Sequence, residues 1–96
     1  MHRYVLSRGA MKSLRRVPKD RVEQIFVALD ELAATEHPAE HHNVKAMKGS
    51  WHGMHRLRIG SYRAVFASNP DPASPLDEKL LLISVEAIGK RGGIYG

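Results

Sequence analysis

The chain has no cysteine, which excludes a disulfide framework and a thiolate zinc site and suits a reducing compartment. It also lacks any apolar run long enough to span a bilayer or to form a signal-peptide core; the longest, residues 25–29 and 80–83, are too short for either. The expectation is a cytoplasmic protein with no membrane contact. Negative charge is missing from one region. Residues 41–70 hold no Asp or Glu, against five cations (Lys45, Lys48, Arg56, Arg58 and Arg63) and four histidines (His41, His42, His52 and His55). The other ten basic residues are balanced by the ten acidic ones, so the formal net charge of +5 resides in this stretch. Charge of one sign, gathered in an otherwise balanced chain, is the footprint of a polyanion partner.

What is present suits one domain, residues 1–96, with a single core. Residues 54–66 alternate on both sides of Gly60-Ser61, and a Gly-X pair between alternating segments marks a hairpin, because Gly supplies the positive φ of a two-residue turn. That register sets Ile59 opposite Tyr62, Arg58 opposite Arg63, Leu57 opposite Ala64 and Arg56 opposite Val65. Leu57, Ile59, Tyr62, Ala64 and Phe66 then share a face that packs on helices, and Arg56, Arg58 and Arg63 share the other. Like charges across a ladder repel. Three guanidinium groups on one sheet face therefore suit an anion, and Arg grips phosphate through paired hydrogen bonds. A solvated face of snorkelling side chains is the alternative.

Residues 3–7 alternate as a short strand, with Tyr4 and Leu6 on one side, and Ser7 suits a helix N-cap. Ala10, Met11, Leu14 and Val17 mark a first helix stopped by Pro18. Val22, Ile25, Phe26, Leu29, Leu32 and Ala33 mark a second. His37, His41, His42, Glu36 and Glu40 raise the question of a metal, but Pro38 opposes the helix that would align His37 with His41, and a polar loop is expected. Trp51 is expected to anchor the core at the sheet edge. Asn69, Pro70, Pro72 and Pro75 mark a loop rather than a strand, and residues 80–85 read as a central strand buried on both faces, with Glu86 leaving the core. The order β-α-α-β-β-β gives an α+β fold: a small, largely antiparallel, four-stranded twisted sheet packed on an N-terminal helical hairpin.

Lys48-Gly49, the Arg-x-Arg-x-Gly-x-Tyr-Arg hairpin from Arg56 to Arg63, and Gly89-Lys90-Arg91 with Tyr95 resemble the RelE/ParE superfamily of toxins from toxin–antitoxin systems, across essentially the whole chain. The resemblance implies a ribosome-dependent messenger-RNA endonuclease restrained by a cognate antitoxin, as a dimer or heterotetramer with it. It implies contacts with 16S rRNA and with mRNA in the ribosomal A site. Carried over residue by residue, the site is Arg56, Arg58, Arg63, Arg91 and Tyr95; apart from that carry-over, Lys45, Lys48 and Lys90 are candidates to bind RNA phosphate. The first basic pair is often lysine in active members; arginine binds phosphate but keeps its proton at neutral pH. No cofactor and no metal are needed if the ribose 2′-hydroxyl attacks the adjacent phosphorus. The arginines would stabilise charge on the phosphoryl oxygens. Proton transfer would fall to Tyr95, whose phenol a cationic cluster acidifies, or to His52 or His55, although His55 lies on the face of Leu57 and Ile59. Two alternatives remain: a ParE-like inhibitor of DNA gyrase, and an inactive module that binds antitoxin or nucleic acid.

Overall fold

The computed structural model describes residues 1–75 and 78–93. Strand β1 (Arg3–Leu6) leads into helices α1 (Arg8–Leu14) and α2 (Lys19–Ala34), and the chain returns through β2 (Val44–Ala46), β3 (His55–Ile59), β4 (Tyr62–Pro70) and β5 (Leu81–Lys90). The α+β class and the N-terminal helical hairpin are as expected. The sheet has five strands in the order β1-β5-β4-β3-β2, not four. The addition is β2, an edge strand too short to show alternation, which pairs antiparallel with β3 and sets Lys45 opposite Arg56. β1 pairs parallel with β5 and the other three pairings are antiparallel, so the sheet is mixed.

Ser7 starts α1 by accepting a hydrogen bond from the Ala10 N–H on its Oγ at 3.0 Å, which satisfies one of the donors a helix start leaves open. The helix stops at Leu14, short of Val17, and Met11 is 60% exposed instead of joining the apolar stripe. So short a helix lays only a narrow line, Ala10 and in part Leu14, on the sheet. α2 carries the packing. Ile25, Leu29, Leu32 and Ala33 are buried at helical spacing, and Phe26 packs beside them. Each large aliphatic side chain buried this way contributes about 1.5–3 kcal/mol.

Under the helices lie Leu57, Ile59, Tyr62, Ala64, Phe66, Ile83, Val85 and Ile88. The last two are three apart, which a regular strand would send to opposite faces. A β-bulge reconciles them: Val65 pairs with Ala87 and Phe66 with Val85, leaving Glu86 as the extra residue of β5. After the bulge the alternation of β5 is inverted. Ala87 and Gly89 now pair with Val65 and Arg63 on the face away from the helices, while Lys90 pairs with Tyr62 on the helix side.

Three further expectations are revised. Trp51 is half-buried in a 3-10 turn (Gly49–Trp51) outside the core, because that turn lies beyond the edge of the sheet. Asn69 and Pro70 belong to β4; Pro70 is its last residue, where a missing N–H interrupts no ladder. β5 runs on to Lys90, and its Leu81, Leu82 and Ser84 are only half-buried, so one face of this interior strand is partly open.

Candidate active site

The Gly60-Ser61 turn has the expected register, Ile59 with Tyr62, Arg58 with Arg63, Leu57 with Ala64 and Arg56 with Val65. Gly60 takes φ +58°, the left-handed value that favours glycine at this position. The apolar set of the hairpin is no more than 6% exposed, and Val65, on the opposite face, is fully buried as well. Its neighbour across the ladder, Arg56, is half-buried, as expected where long cationic stems lie over an apolar side chain.

Arg58 and Arg63 face each other across the strands, and the structure relieves their repulsion by sending them in different directions. Arg58 Nη2 donates to Asn43 Oδ1 at 3.1 Å, and the Arg58 backbone N–H donates to the Asn43 carbonyl at 2.9 Å. Arg63 Nη1 donates to the Gly60 and Tyr62 carbonyls at 2.7 and 2.8 Å, which ties its guanidinium to the turn. Its Nε and Nη2 take no part in those bonds. Arg91 is brought alongside by its backbone N–H, which donates to the Ser61 carbonyl at 3.0 Å. The bulge makes this arrangement possible, because the inverted alternation aligns Arg91, rather than Lys90, with the arginine face.

These side chains line one cleft of about 510 Å³, formed by His42, Asn43, Lys45, Arg56, Arg58, Arg63, Arg91 and Gly92. Five of the eight are cationic and none is acidic. A volume of this size is typical of small-molecule sites and suits a nucleotide unit. Of the residues named from sequence, Lys45, Arg56, Arg58, Arg63 and Arg91 come together here. Lys48 is exposed before the Gly49–Trp51 turn and does not line the cleft, while Lys90 lines a separate groove with Ser13, Arg16, Val17 and Tyr62. Tyr95 lies outside the described residues. His55 packs its ring on Phe66 at 5.7 Å, with a buried Nδ1, on the helix side; neither it nor the exposed His52 lines the cleft. Among the described residues no group of three or more His, Asp or Glu is placed to hold a metal ion.

Besides Gly92, two lining residues were not anticipated, Asn43 and His42. The 3-10 turn at Pro38–Glu40, with Pro38 buried, and the short β2 that follows carry them to the cleft. His41 Nδ1 accepts from the Asn43 backbone N–H at 3.1 Å, and its ring stacks on that of His42 with centroids 4.4 Å apart. Burial lowers the His41 pKa, the neighbouring His42 lowers it further, and Glu31 opposes both. A neutral His41 therefore keeps Nδ1 as the acceptor this loop requires.

The sequence matches no protein-family model and no curated protein. The structure does have likenesses among solved ones. It is similar to a RelE–RelB complex from Pyrococcus horikoshii, with 23% identity over 96% of this chain and 97% of that one and a TM-score of 0.67. It is also similar to a RelB–RelE antitoxin–toxin complex from Methanococcus jannaschii (21% identity, 91% and 89% covered, TM-score 0.64). A YoeB/ParE toxin from Agrobacterium tumefaciens matches with 16% identity, 92% and 96% covered and a TM-score of 0.68. The chain has the RelE-like fold over nearly its full length.

Proposed function

We propose that this chain is the toxin of a toxin–antitoxin pair, and that it cleaves messenger RNA in the ribosomal A site with the RNA 2′-hydroxyl as nucleophile. The observation that carries the reading is the cleft, where five cations converge without an acidic residue among the described lining. Concentrating guanidinium groups opposes folding through repulsion, and a phosphodiester turns that cost into binding. Arg56, Arg58, Arg63 and Arg91 hold the phosphoryl oxygens, and their attraction grows as negative charge develops on those oxygens in the transition state. Lys45 adds charge along the strand path. The RelE-like fold supports the same reading, and Tyr95 joins the set by resemblance.

The neighbours from Pyrococcus and Methanococcus are complexes of toxin with antitoxin, which supports an antitoxin as this chain's partner. An acidic segment would complement the arginine face and block the cleft directly. Among the described residues no helix is long and apolar enough to cross a membrane. A reaction on ribosome-bound messages belongs to the cytoplasm.

Primer extension on cellular messages after induction, beside a gyrase supercoiling assay, tests the proposal. Discrete cleavages inside translated frames, with supercoiling unaffected, are expected. Intact messages with inhibited supercoiling would transfer the chain to the ParE-like class, and neither effect would leave an inactive binding module.

A further inference from the structure

The arginine cleft can bind and stabilise a phosphodiester, but guanidinium and ammonium groups keep their protons at neutral pH and cannot deprotonate a hydroxyl. Among the described lining residues one side chain can exchange a proton under those conditions, the imidazole of His42. Its place is held from two sides. On one, the His41 ring stacks against it at 4.4 Å and 24° between planes, and His41 is itself fixed by accepting from the Asn43 N–H. On the other, Asn43 is bonded through both its carbonyl and its side chain to Arg58, so the loop bearing His42 is tied to a cleft arginine. His42 is exposed, as a group that meets a ribose must be, whereas the His55 ring lies against Phe66 on the other face.

We infer that His42 is the general base of the reaction, taking the proton of the attacking 2′-hydroxyl, an inference that rests on the nuclease reading above. The step balances without a further reagent except water. The 2′-oxygen forms a bond to phosphorus as its proton passes to the imidazole, and the bond from phosphorus to the 5′-oxygen breaks. Water protonates the leaving 5′-oxygen, and the imidazolium returns its proton to solvent. The products are a 2′,3′-cyclic phosphate and a 5′-hydroxyl. His41 serves as a positioning residue through the stack. The charged and titratable groups around His42 are His41 beside it, Lys45 on β2, Arg56 and Arg58 on β3, Arg63 on β4 and Arg91 after β5, with Glu40 two residues before it in the chain and Glu31 acting on His41 from α2.

The test is single-turnover cleavage of end-labelled message on programmed ribosomes, from acid to neutral pH, with wild type, His42→Ala, His42→Gln and His52→Ala. Wild type should slow on acidification as the base is protonated. His42→Ala and His42→Gln should each lose about a hundredfold or more at neutral pH and show a flattened acid limb, with RNA affinity within about threefold of wild type. His52→Ala should behave as wild type. A His42→Ala rate within about threefold of wild type overturns the inference, as does rescue by Gln, which forms hydrogen bonds but carries no proton. Transfer of the acid-limb loss to Tyr95→Phe overturns it too. Wild type that leaves the message intact fails the nuclease reading itself, which the other outcomes leave standing.

Discussion

The two faces of the β3–β4 hairpin are made of alternate residues of the same strands, yet they are organised by different physics. The helix side, Leu57, Ile59, Tyr62, Ala64 and Phe66, is closed by α2 and excludes water. The opposite side, Arg56, Arg58 and Arg63, is completed by side chains from other parts of the chain, Lys45 before it and Arg91 after it, and stays open as a cleft. One face is stabilised by burial and the other sets up charge that burial would penalise. The comparison teaches that the apolar face fixes the register and the cationic face inherits its geometry from it. Arg3 provides a second contrast. Its guanidinium has a carboxylate to hold, donating to both oxygens of Asp71 at 2.8 Å, whereas the described residues lining the cleft include no acid at all.

The largest effect should come from breaking the buried side. Phe66→Ala removes a fully buried ring and should cost about 3–5 kcal/mol, lowering Tm by more than about 12 °C for a domain of this size, as thermal unfolding would show. Breaking the open side should leave Tm nearly unchanged and remove chemistry instead. Arg58→Ala or Arg91→Ala should each reduce the single-turnover cleavage rate by about a hundredfold, comparable to losing one oxyanion donor. In the same variants, the log-log dependence of RNA affinity on salt should flatten by about 0.7 for each phosphate that is no longer neutralised, measured by titration at several salt concentrations. A rate that falls only in step with Tm would erase the distinction between the faces.

Asn43→Ala sharpens the comparison, because it leaves every cation in place and removes the acceptor that aims Arg58, while the backbone bond from Arg58 to the Asn43 carbonyl still ties the loop. Losing one such hydrogen bond, worth about 1–1.5 kcal/mol, should slow cleavage about five- to tenfold with little change in the salt dependence. The smallest effect belongs to the paired arginine. Hydrogen bonds from Arg3, and then from the Ala73 N–H, hold the Asp71 carboxyl at about 2, below its ordinary 3.8. A depressed carboxyl contributes stability that is present above its ordinary value and is lost as pH falls through about 2. Asp71→Asn should therefore be less stable than wild type at neutral pH, and denaturant midpoints should show the gap narrowing between about pH 4 and pH 2.

The hairpin was legible in the sequence because period-two alternation around a Gly-X turn leaves one register that buries the apolar set. The common face of Arg56, Arg58 and Arg63 followed from it, whereas Lys45 was named for its charge and its place opposite Arg56 was not foreseen. β2 was not legible, since three residues carry no period, and Asn43 and His42 were hidden with it: their place depends on pairing across fifteen residues, from Asn43 to Arg58. The Glu86 bulge was equally hidden, because Leu-rich β5 shows no alternation to interrupt. Its consequence is that Lys90 and Arg91, adjacent in a Gly-Lys-Arg motif that reads as one basic unit, are separated onto opposite sides of the sheet. Met11 and Trp51 were misplaced for a related reason: apolar character marks what can be buried, and the neighbouring elements decide whether it is.

The most direct measurement is the chemistry of the ends that purified protein leaves on a ribosome-bound message. Attack by the 2′-hydroxyl within an arginine cleft predicts a 2′,3′-cyclic phosphate on the upstream fragment and a 5′-hydroxyl on the downstream one, both lost in an Arg58→Ala, Arg91→Ala double variant that still folds. Intact message, or fragments bearing a 5′-phosphate, would contradict it.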